Sequence, residues 1–411
     1  MKSAVLPKGC VEYSPADQQY IDRVVAVISS VYQQFGYNHL DTSVMQYLSF
    51  LQGEGEVTKE IYSLARAKQD EGGSETDYAL RFDLTKPLAR YVEEHRAVLT
   101  FPFKRWDYGQ VFRGERPQKG RQRQFYQCDF DVVGENTLSN WYDVEVCQIV
   151  VTAMIAIGVQ DFTVRINNRK LVTEVLDALK IDSEIRGPVM TLIDKRYKVE
   201  KEVFLTELSV LTSPQICDVL APVIFHNNDE LLKDLLHECG LDTTTSIGFA
   251  ELQAVFHALS KYERGHVVFD FSIVRGLDYY TGFVFETFLG GSHRTLGSVF
   301  SGGRYEKLIE SGKIVYPGVG GSVGVSRLAN YLQEVARAEQ NNRVGTVAFI
   351  DEALDNTALM NKIQELRTTN EKINIISGTS YKRALKIAIE SNVTQMLFIG
   401  NDGEVVTKII E

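Results

Sequence analysis

Polar and apolar side chains alternate in one stretch of the sequence, "RQFYQCDFDVV". Because successive side chains of a strand point to opposite faces, one face would carry Phe125, Gln127, Asp129 and Asp131. The other face would carry the core-type residues Tyr126, Cys128, Phe130 and Val132. The pattern predicts a strand with a polar face above a core. Taken alone, that polar face fits a solvent-exposed sheet surface as well as a binding surface.

A second segment, "LRFDLT", favours the binding surface. If this segment is a strand, the same alternation places Arg81, Asp83 and Thr85 on one face. Carboxylates and amides can bind an ammonium group and the polar edge of an uncharged ring. Asp83, Gln127 and Asp131 together could therefore hold a ligand that has both features.

Basic residues concentrate between two predicted strands although the chain as a whole is acidic. Arg113 ends the first strand with Glu115 nearby, and a planar guanidinium there could clamp a phosphate. A surface ion pair between these two residues is the alternative. The loop 116–123 holds four basic residues and Gln118. It could grip the backbone or the end of a nucleic acid, or be a solvated hairpin tip.

Three later segments combine glycine with tyrosine or arginine: "RGLDYYTG" (275–282), "SGGRYEKLI" (301–309) and "GVGGSVGVSRL" (318–328). The second and third predict glycine-rich turns that run into helices. The third is not a dinucleotide fingerprint, because Val323 stands where that pattern requires glycine. The sequence also lacks a phosphate-binding loop of the Gly-x-x-x-x-Gly-Lys-Ser/Thr type, so arginines would have to clamp any bound nucleotide.

The elements that position these segments follow from periodicity and from capping residues. Ser14 caps a helix whose first residue is Pro15. The predicted strands are 80–85, 109–115, 124–133, 266–272 and 282–289, and the predicted helices are 86–96 and 143–157. Helical patterns dominate from about 170 to 262. Residues 344–411 alternate between strand and helix patterns and predict a small α/β domain.

Length and composition limit the class of protein. A chain of 411 residues predicts two or three domains. A net charge of -10 argues against sequence-blind coating of nucleic acid. Five cysteines without a Cys-x-x-Cys pair argue against a disulfide framework or a zinc cage and fit the reducing cytoplasm. The sequence has no apolar run long enough for a membrane span and no signal peptide. The seven histidines form no ligand cluster.

Five segments, in this order, resemble the motifs of class II aminoacyl-tRNA synthetases, and most closely those of the histidyl-tRNA synthetase family. They are "LRFDLTKPLARY", "FRGERPQKGRQRQFYQCDFD", "RGLDYYTG", "GGRYEKL" and "GVGGSVGVSRL". The resemblance implies an α+β fold, in which helices flank the antiparallel sheet of a catalytic domain at 1–335. A helical insertion would occupy about 170–262. A short domain at 344–411 would resemble, more weakly, the anticodon-binding domain of the family.

The resemblance also implies roles for individual residues. Asp83, Thr85 and Gln127 would hold the amino group of L-histidine, and the imidazole would be read by Asp131, Tyr279, Tyr280 and Tyr305. ATP would be bound by Arg113, Glu115, Arg121, Phe125 and Arg327, accompanied by Mg²⁺. Arg113 and Arg275 would be catalytic. Arg116 and Gln118 would contact the acceptor end of tRNA(His). The implied activity is formation of histidyl-adenylate and its transfer to tRNA by a cytoplasmic homodimer.

The sequence departs from the family pattern in places. Ser43 stands where the dimer motif usually has proline, and "LPKGCVEYSP" replaces the usual basic opening. The competing interpretation is a catalytically silent, synthetase-like regulatory subunit of histidine biosynthesis. Such paralogues usually lack the anticodon domain and the arginine at position 275, both of which this sequence has, although the domain is short. A generic RNA-binding module is a third interpretation.

Overall fold

The computed structural model describes residues 5–52, 60–65, 77–117, 121–226, 231–274, 280–291, 297–307, 310–311, 314–329, 331–332, 345–368, 372–391 and 393–410. The chain divides into two compact units, Met1–Glu334 and Val335–Glu411. No helix in the described ranges is long and apolar enough to cross a membrane.

Helices and strands alternate irregularly in the first unit. Its helices are α1 Pro15–Gln34, α2 Leu48–Leu51, α3 Thr85–His95, α4 Trp141–Ala156, α5 Arg169–Ala178, α6 Ser183–Ile193, α7 Lys201–Leu211, α8 Pro214–Phe225, α9 Leu232–Glu238, α10 Ile247–Ala258 and α11 Lys261–Arg264. Its strands are β1 Asn38–His39, β2 Met45–Tyr47, β3 Ser63–Leu64, β4 Tyr78–Leu80, β5 Phe103–Phe112, β6 Gln124–Val133, β7 Phe162–Asn168, β8 Val267–Phe269, β9 Phe283–Leu289, β10 Phe300–Tyr305, β11 Glu310–Ser311, β12 Ile314–Val315 and β13 Gly318–Gly324. Residues 325–329 are also helical.

An eight-stranded sheet forms the centre of this unit, in the order β1-β5-β6-β13-β10-β9-β7-β8. Neighbours are antiparallel except for the outer pairs β1–β5 and β7–β8. Helices α1 and α4 pack against one face, where Cys128, Phe130 and Val132 are fully buried. The mixed α+β class predicted from the sequence is confirmed. The predicted helical character between 170 and 262 is also confirmed, because α5 to α11 occupy this part of the chain.

The hairpin β5–β6 differs from its prediction in its first strand. Strand β6 matches the predicted 124–133, but β5 begins at Phe103 and ends at Phe112 instead of spanning 109–115. Arg113 and Glu115 therefore follow the strand instead of lying in it. The backbone N–H of Arg113 still donates to the carbonyl of Arg123, at 2.9 Å, and holds the base of the connecting loop together.

The segment "LRFDLT" is not a strand throughout, as the alternation predicted. Strand β4 ends at Leu80, and α3 begins at Thr85. Asp83 favours this helix start, because its Oδ1 accepts from the backbone N–H of Lys86 at 2.9 Å. Arg81 is buried on the other side, where it donates to the carbonyls of Thr42 and Gln110.

The glycine-rich segments were predicted as turns, and this is wrong, because they form strands β10 and β13 in the middle of the sheet. The close approach of neighbouring groups explains the glycines. A Cβ on Gly318 would lie 2.3 Å from the Tyr305 ring, and one on Gly320 would lie 2.3 Å from Asp131 Oδ1. A Cβ on Gly302 would lie 2.1 Å from the Gly320 carbonyl oxygen.

The second unit is a small α/β domain, as its alternating pattern predicted. Its elements are β14 Thr346–Phe349, α12 Thr357–Thr368, β15 Ile373–Ile376, α13 Tyr381–Glu390, β16 Gln395–Ile399 and β17 Val405–Ile409. The sheet order is β15-β14-β16-β17, with only the last pair antiparallel among these strands. Separate apolar clusters cover the two faces of the sheet, one under α12 and one under α13.

Candidate active site

A cleft of about 400 Å³ opens on the face of the large sheet opposite α1 and α4. The residues that line it are Asp83, Thr85, Arg113, Glu115, Arg121, Gln122, Phe125, Gln127, Asp129, Asp131, Tyr280, Phe285, Glu286, Ser298, Val299, Ser301, Gly302, Gly321, Ser322, Gly324, Ser326 and Arg327. Three strands, β6, β10 and β13, contribute much of its floor. The cleft therefore joins segments that lie far apart in the sequence.

One row of polar residues crosses six neighbouring strands. Cross-strand pairing places these side chains in the order Asp107, Asp129, Ser322, Ser301, Glu286 and Arg165. The four middle members line the cleft, which places Asp129 and Glu286 three strands apart, with the two serines on the strands between them. The cleft floor thus has a carboxylate at each side and small hydroxyl groups between them.

The Asp131 end of the cleft contains several buried charges. Tyr305 donates a hydrogen bond to Asp131 Oδ1 at 3.1 Å, and Asp131 Oδ2 forms an ion pair with Arg105 Nη2 at 2.8 Å. Arg105 is itself fully buried. Burial raises the pKa of the Asp131 carboxyl, and the adjacent guanidinium opposes this shift. Asp131 is thus held in a fixed orientation by partners behind the cleft floor.

Gln127 and Asp129 occupy the middle of strand β6. Gln127 Nε2 donates to the Ser322 hydroxyl at 2.6 Å, and that hydroxyl also bonds to Asp129. Burial raises the pKa of the Asp129 carboxyl well above its usual value, and Asp131 and Asp83 add to this effect. Opposite these residues, the start of α3 supplies Asp83 and Thr85.

Arginines and one aromatic ring form the other end of the cleft. The Arg113 guanidinium carbon lies 5.2 Å from the centre of the Phe125 ring, and its Nε donates to the carbonyl of Phe82. Arg121 forms an ion pair with Glu115 at 3.1 Å. Arg327 donates to the carbonyl of Ser298. Burial lowers the pKa of Arg327, and the like charges of Arg121 and Arg113 lower it further, so this end attracts anions.

Ten of the residues predicted from the sequence line this one cleft: Asp83, Thr85, Gln127, Asp131, Tyr280, Arg113, Glu115, Arg121, Phe125 and Arg327. Tyr305 lies behind the floor and touches Asp131. Arg116 is exposed and does not line the cleft. Arg275, Tyr279 and Gln118 lie outside the described residues.

Sequence reasoning gave no role to three residues of the cleft. Asp129 was placed on the correct face by alternation, but no function was assigned to it. Glu286 could have been found as the one charged residue in the mostly apolar strand β9. Ser322 could have been found as the polar exception within β13. The described residues contain no cluster of three or more potential metal ligands.

Comparison with known proteins agrees with this architecture. The family model described as histidyl-tRNA synthetase matches residues 9–328. A histidine–tRNA ligase from Clostridium acetobutylicum is 37% identical over 349 residues, which cover 83% of this chain and 79% of the relative. The corresponding ligase from Micrococcus luteus is 35% identical over 417 residues, covering 96% of this chain and 89% of the relative.

Solved structures give the same result. The crystal structure of histidyl-tRNA synthetase from Nostoc sp. PCC 7120 is similar with a TM-score of 0.80 and 29% identity, covering 99% of this chain and 97% of that one. A Bacillus halodurans C protein, described as an ATP phosphoribosyltransferase regulatory subunit/histidyl-tRNA synthetase, has a TM-score of 0.77 at 18% identity, covering 97% of this chain and 98% of that one. At that identity the second likeness shows the fold alone.

Proposed function

Because the chain belongs to the histidyl-tRNA synthetase family, we propose that it activates L-histidine with ATP and transfers the histidyl group to tRNA(His). The observation that carries this proposal is the cleft. One end gathers carboxylates, an amide and a tyrosine, and the other end gathers three arginines and an aromatic ring that Arg113 contacts. An amino acid and a nucleotide could therefore bind side by side with the reacting groups between them.

The first step joins the two substrates. The carboxylate of histidine attacks the α-phosphorus of ATP, and pyrophosphate leaves. Arg113 is proposed to neutralise charge on the α-phosphate, and Arg327 to hold the γ-phosphate. Phe125 would stack on adenine. Both guanidiniums are already fixed by hydrogen bonds to main-chain carbonyls, so little reorganisation is required as charge develops.

The histidine side chain is proposed to bind at Asp131 and Tyr280. The carboxylate would accept from one imidazole N–H, and the phenol would satisfy the other ring nitrogen. Tyr305 and Arg105 hold Asp131 in place from behind. A pocket built from such buried polar partners rejects analogues that lack them by about 10⁴-fold or more, because its own groups would remain unpaired.

Mg²⁺ is proposed to accompany the β- and γ-phosphates. The residues of the cleft fit this ion, because Glu115 and Glu286 supply carboxylates near the arginine end. Mg²⁺ in nucleotide sites commonly uses one or two carboxylates together with phosphates and water. The ion would neutralise charge on the departing pyrophosphate.

In the second step the terminal ribose hydroxyl of tRNA attacks the carbonyl carbon of the adenylate, and AMP leaves. The exposed Arg116, with Gln118 nearby in sequence, is proposed to contact the acceptor end. The unit Val335–Glu411 is proposed to contribute tRNA affinity as a short anticodon-binding-like domain. A cytoplasmic location is proposed because the tRNA substrate is found there.

A homodimer is also proposed, through the segment 25–50. This segment exposes four large apolar side chains: Val27, Val44, Met45 and Tyr47. Exposed apolar groups in one region commonly mark an interface. Sedimentation at micromolar concentration should give a species of twice the chain mass, and a single 46.3 kDa species would contradict the dimer.

Histidine-dependent exchange between ATP and labelled pyrophosphate tests the function directly. The proposed enzyme should exchange with L-histidine and with no other standard amino acid, and should then charge tRNA(His). Exchange with another amino acid at an equal rate would overturn the proposed specificity. Absence of exchange would favour the regulatory-subunit interpretation, which is less supported because the relatives at 35% and 37% identity are named as ligases.

A further inference from the structure

Two buried hydrogen-bond acceptors of strand β6 face the cleft without a partner. Asp129 and Gln127 are 2% and 9% exposed, and both line the cleft. Within the described residues, neither Asp129 Oδ1 nor Gln127 Oε1 accepts a hydrogen bond. Buried polar atoms of folded proteins nearly always have a hydrogen-bond partner. Two neighbouring acceptors that lack one and face a cleft therefore indicate a ligand that supplies donors.

The charge at this end of the cleft points to a cationic ligand group. Arg105 lies 2.8 Å from Asp131 and 3.8 Å from Asp107, and no ion pair in the described part of the chain involves Asp129. The carboxylates of Asp83, Asp129 and Asp131 all line the cleft, and those of Asp83 and Asp131 repel that of Asp129. Two buried guanidiniums, those of Arg105 and Arg81, face the buried carboxylates of this region, which are Asp83, Asp107, Asp129 and Asp131. Burying more carboxylates than guanidiniums is unfavourable unless a cation or protons neutralise the excess. Burial is the main cause of the raised pKa of the Asp129 carboxyl, and the nearby carboxylates of Asp131 and Asp83 add to it.

The number of acceptors fits an ammonium group better than a ring. An ammonium has three N–H donors, whereas an imidazole has at most two. Asp129 and Gln127 are neighbours on one face of β6, and Asp83 lines the same cleft. Asp129 also lies between Gln127 and Asp131 along the strand. A ligand with an ammonium beside an imidazole would therefore pass directly over Asp129.

We propose that Asp129 is a specificity-determining residue that accepts a hydrogen bond from the α-ammonium group of the amino-acid substrate through Oδ1 and supplies its negative countercharge. This inference rests on the proposed function and adds a residue to the three expected to hold that group. Ser322 positions the carboxylate, because its hydroxyl bonds to Asp129 while it accepts from Gln127. Asp129 would thus distinguish amino acids from ligands that have the imidazole but no ammonium.

The test compares two ligands that differ in the ammonium. L-Histidinol has the imidazole and the ammonium, and imidazolepropionate has the imidazole without the ammonium. Calorimetry on the full-length wild-type chain, Asp129→Asn and Asp129→Ala gives the dissociation constant of each ligand. Both substitutions should raise the dissociation constant of L-histidinol by about 10- to 100-fold, the range for a lost hydrogen bond to a charged group. The dissociation constant of imidazolepropionate should change by less than about threefold, and this result would also show that the pocket remains folded.

Asp107→Asn is the matched control. Asp107 pairs with Asp129 across the β5–β6 ladder and is buried, but it does not line the cleft and is held by Thr42. Its substitution should leave the ratio of the two dissociation constants unchanged. The proposal is overturned if Asp129→Asn and Asp129→Ala weaken the binding of both ligands equally, or weaken the binding of neither.

Pyrophosphate exchange by the same wild-type preparation distinguishes a failure of the Asp129 role from a failure of the proposed function. If wild type exchanges with L-histidine but the ligand ratio is insensitive to Asp129, only the role of Asp129 fails. If wild type neither exchanges nor prefers L-histidinol over imidazolepropionate, the proposed function fails, and this inference fails with it.

Discussion

Tyr305 donates a hydrogen bond to Asp131 from beneath the cleft floor, with 3.1 Å between the phenol oxygen and Oδ1. Both residues are buried, and Tyr305 does not itself line the cleft. Under the proposed function, the phenol would therefore act on the substrate through Asp131. Burial and the neighbouring carboxylate raise the pKa of Tyr305 well above its usual value, so it remains a donor at every physiological pH.

Tyr305→Phe should raise the KM for L-histidine by about 10-fold or more, because Asp131 loses a hydrogen bond to its charged form. The KM for ATP should stay within about twofold of wild type. Pyrophosphate exchange measured against each substrate in turn checks both values. Tyr316→Phe is the matched control: Tyr316 is fully buried in a separate apolar cluster, and its hydroxyl has no partner among the described residues. An equal effect of the two substitutions would contradict the positioning role.

Glu286 should make the stability of the fold depend on pH. Burial, with a contribution from Asp194, raises the pKa of this carboxyl to about 7 in the folded chain. A glutamate in an unfolded chain has a pKa of about 4.3. The protonated form therefore favours folding. Its contribution is complete below the unfolded pKa and is lost as the pH rises through about 7.

Glu286→Gln mimics the protonated form and should remove this dependence. At pH 8 the variant should unfold at a higher urea concentration than wild type, with a free energy of unfolding larger by about 1–2 kcal/mol, and at pH 4 the two should differ little. Urea titrations at the two pH values measure the free energy of unfolding of each protein. A variant that is less stable than wild type at pH 8 would show that the ionised carboxylate makes a favourable interaction.

Arg275→His should leave L-histidine binding nearly intact and lower the rate of adenylate formation by about 10²–10³-fold. This expectation rests on the sequence, because position 275 lies outside the described residues. A fixed guanidinium stabilises the charge that builds on the α-phosphate as the carboxylate attacks, so the loss should fall mainly on kcat. Rapid-quench experiments measure the rate of adenylate formation directly. Equal rates in wild type and variant would exclude a catalytic role for Arg275.

A chain that ends near Gln340 should keep pyrophosphate exchange and lose charging efficiency. The residues that line the cleft all belong to the unit Met1–Glu334, which has its own core. The second unit is proposed to act only on tRNA. Exchange and charging assays on the shortened chain measure the two steps separately. Loss of exchange in a folded product would show that the boundary is misplaced.

Sequence patterns predicted much of this structure because they depend on local physics. Alternation in β6 identified both of its faces, and the capping residue Ser14 identified the start of α1. The patterns failed where tertiary contacts decide. Glycines in β10 and β13 suggested turns, because the close contacts that leave no room for a Cβ at Gly302, Gly318 and Gly320 arise only after the sheet has formed.

The site could be predicted where motifs were recognisable, and less well where the evidence is geometric. Resemblance supplied ten residues of the cleft but gave no role to Asp129, whose unpaired oxygen is visible only in three dimensions. Arg81 illustrates the opposite error. Alternation placed it beside Asp83, but the chain bends after Leu80 and buries Arg81 beneath Gly109.

The glycines of the sheet have a genetic consequence. Any first- or second-base change in a glycine codon introduces a side chain or a stop, and at Gly318 or Gly320 the new atoms would collide with the Tyr305 ring or the Asp131 carboxylate. A saturation mutagenesis screen that selects for growth on this protein alone should therefore find these two positions nearly as intolerant as Asp131, although neither lines the cleft. The space beside Tyr305 and Asp131 is therefore kept free by main chain without side chains, and point mutation has little means of narrowing it gradually.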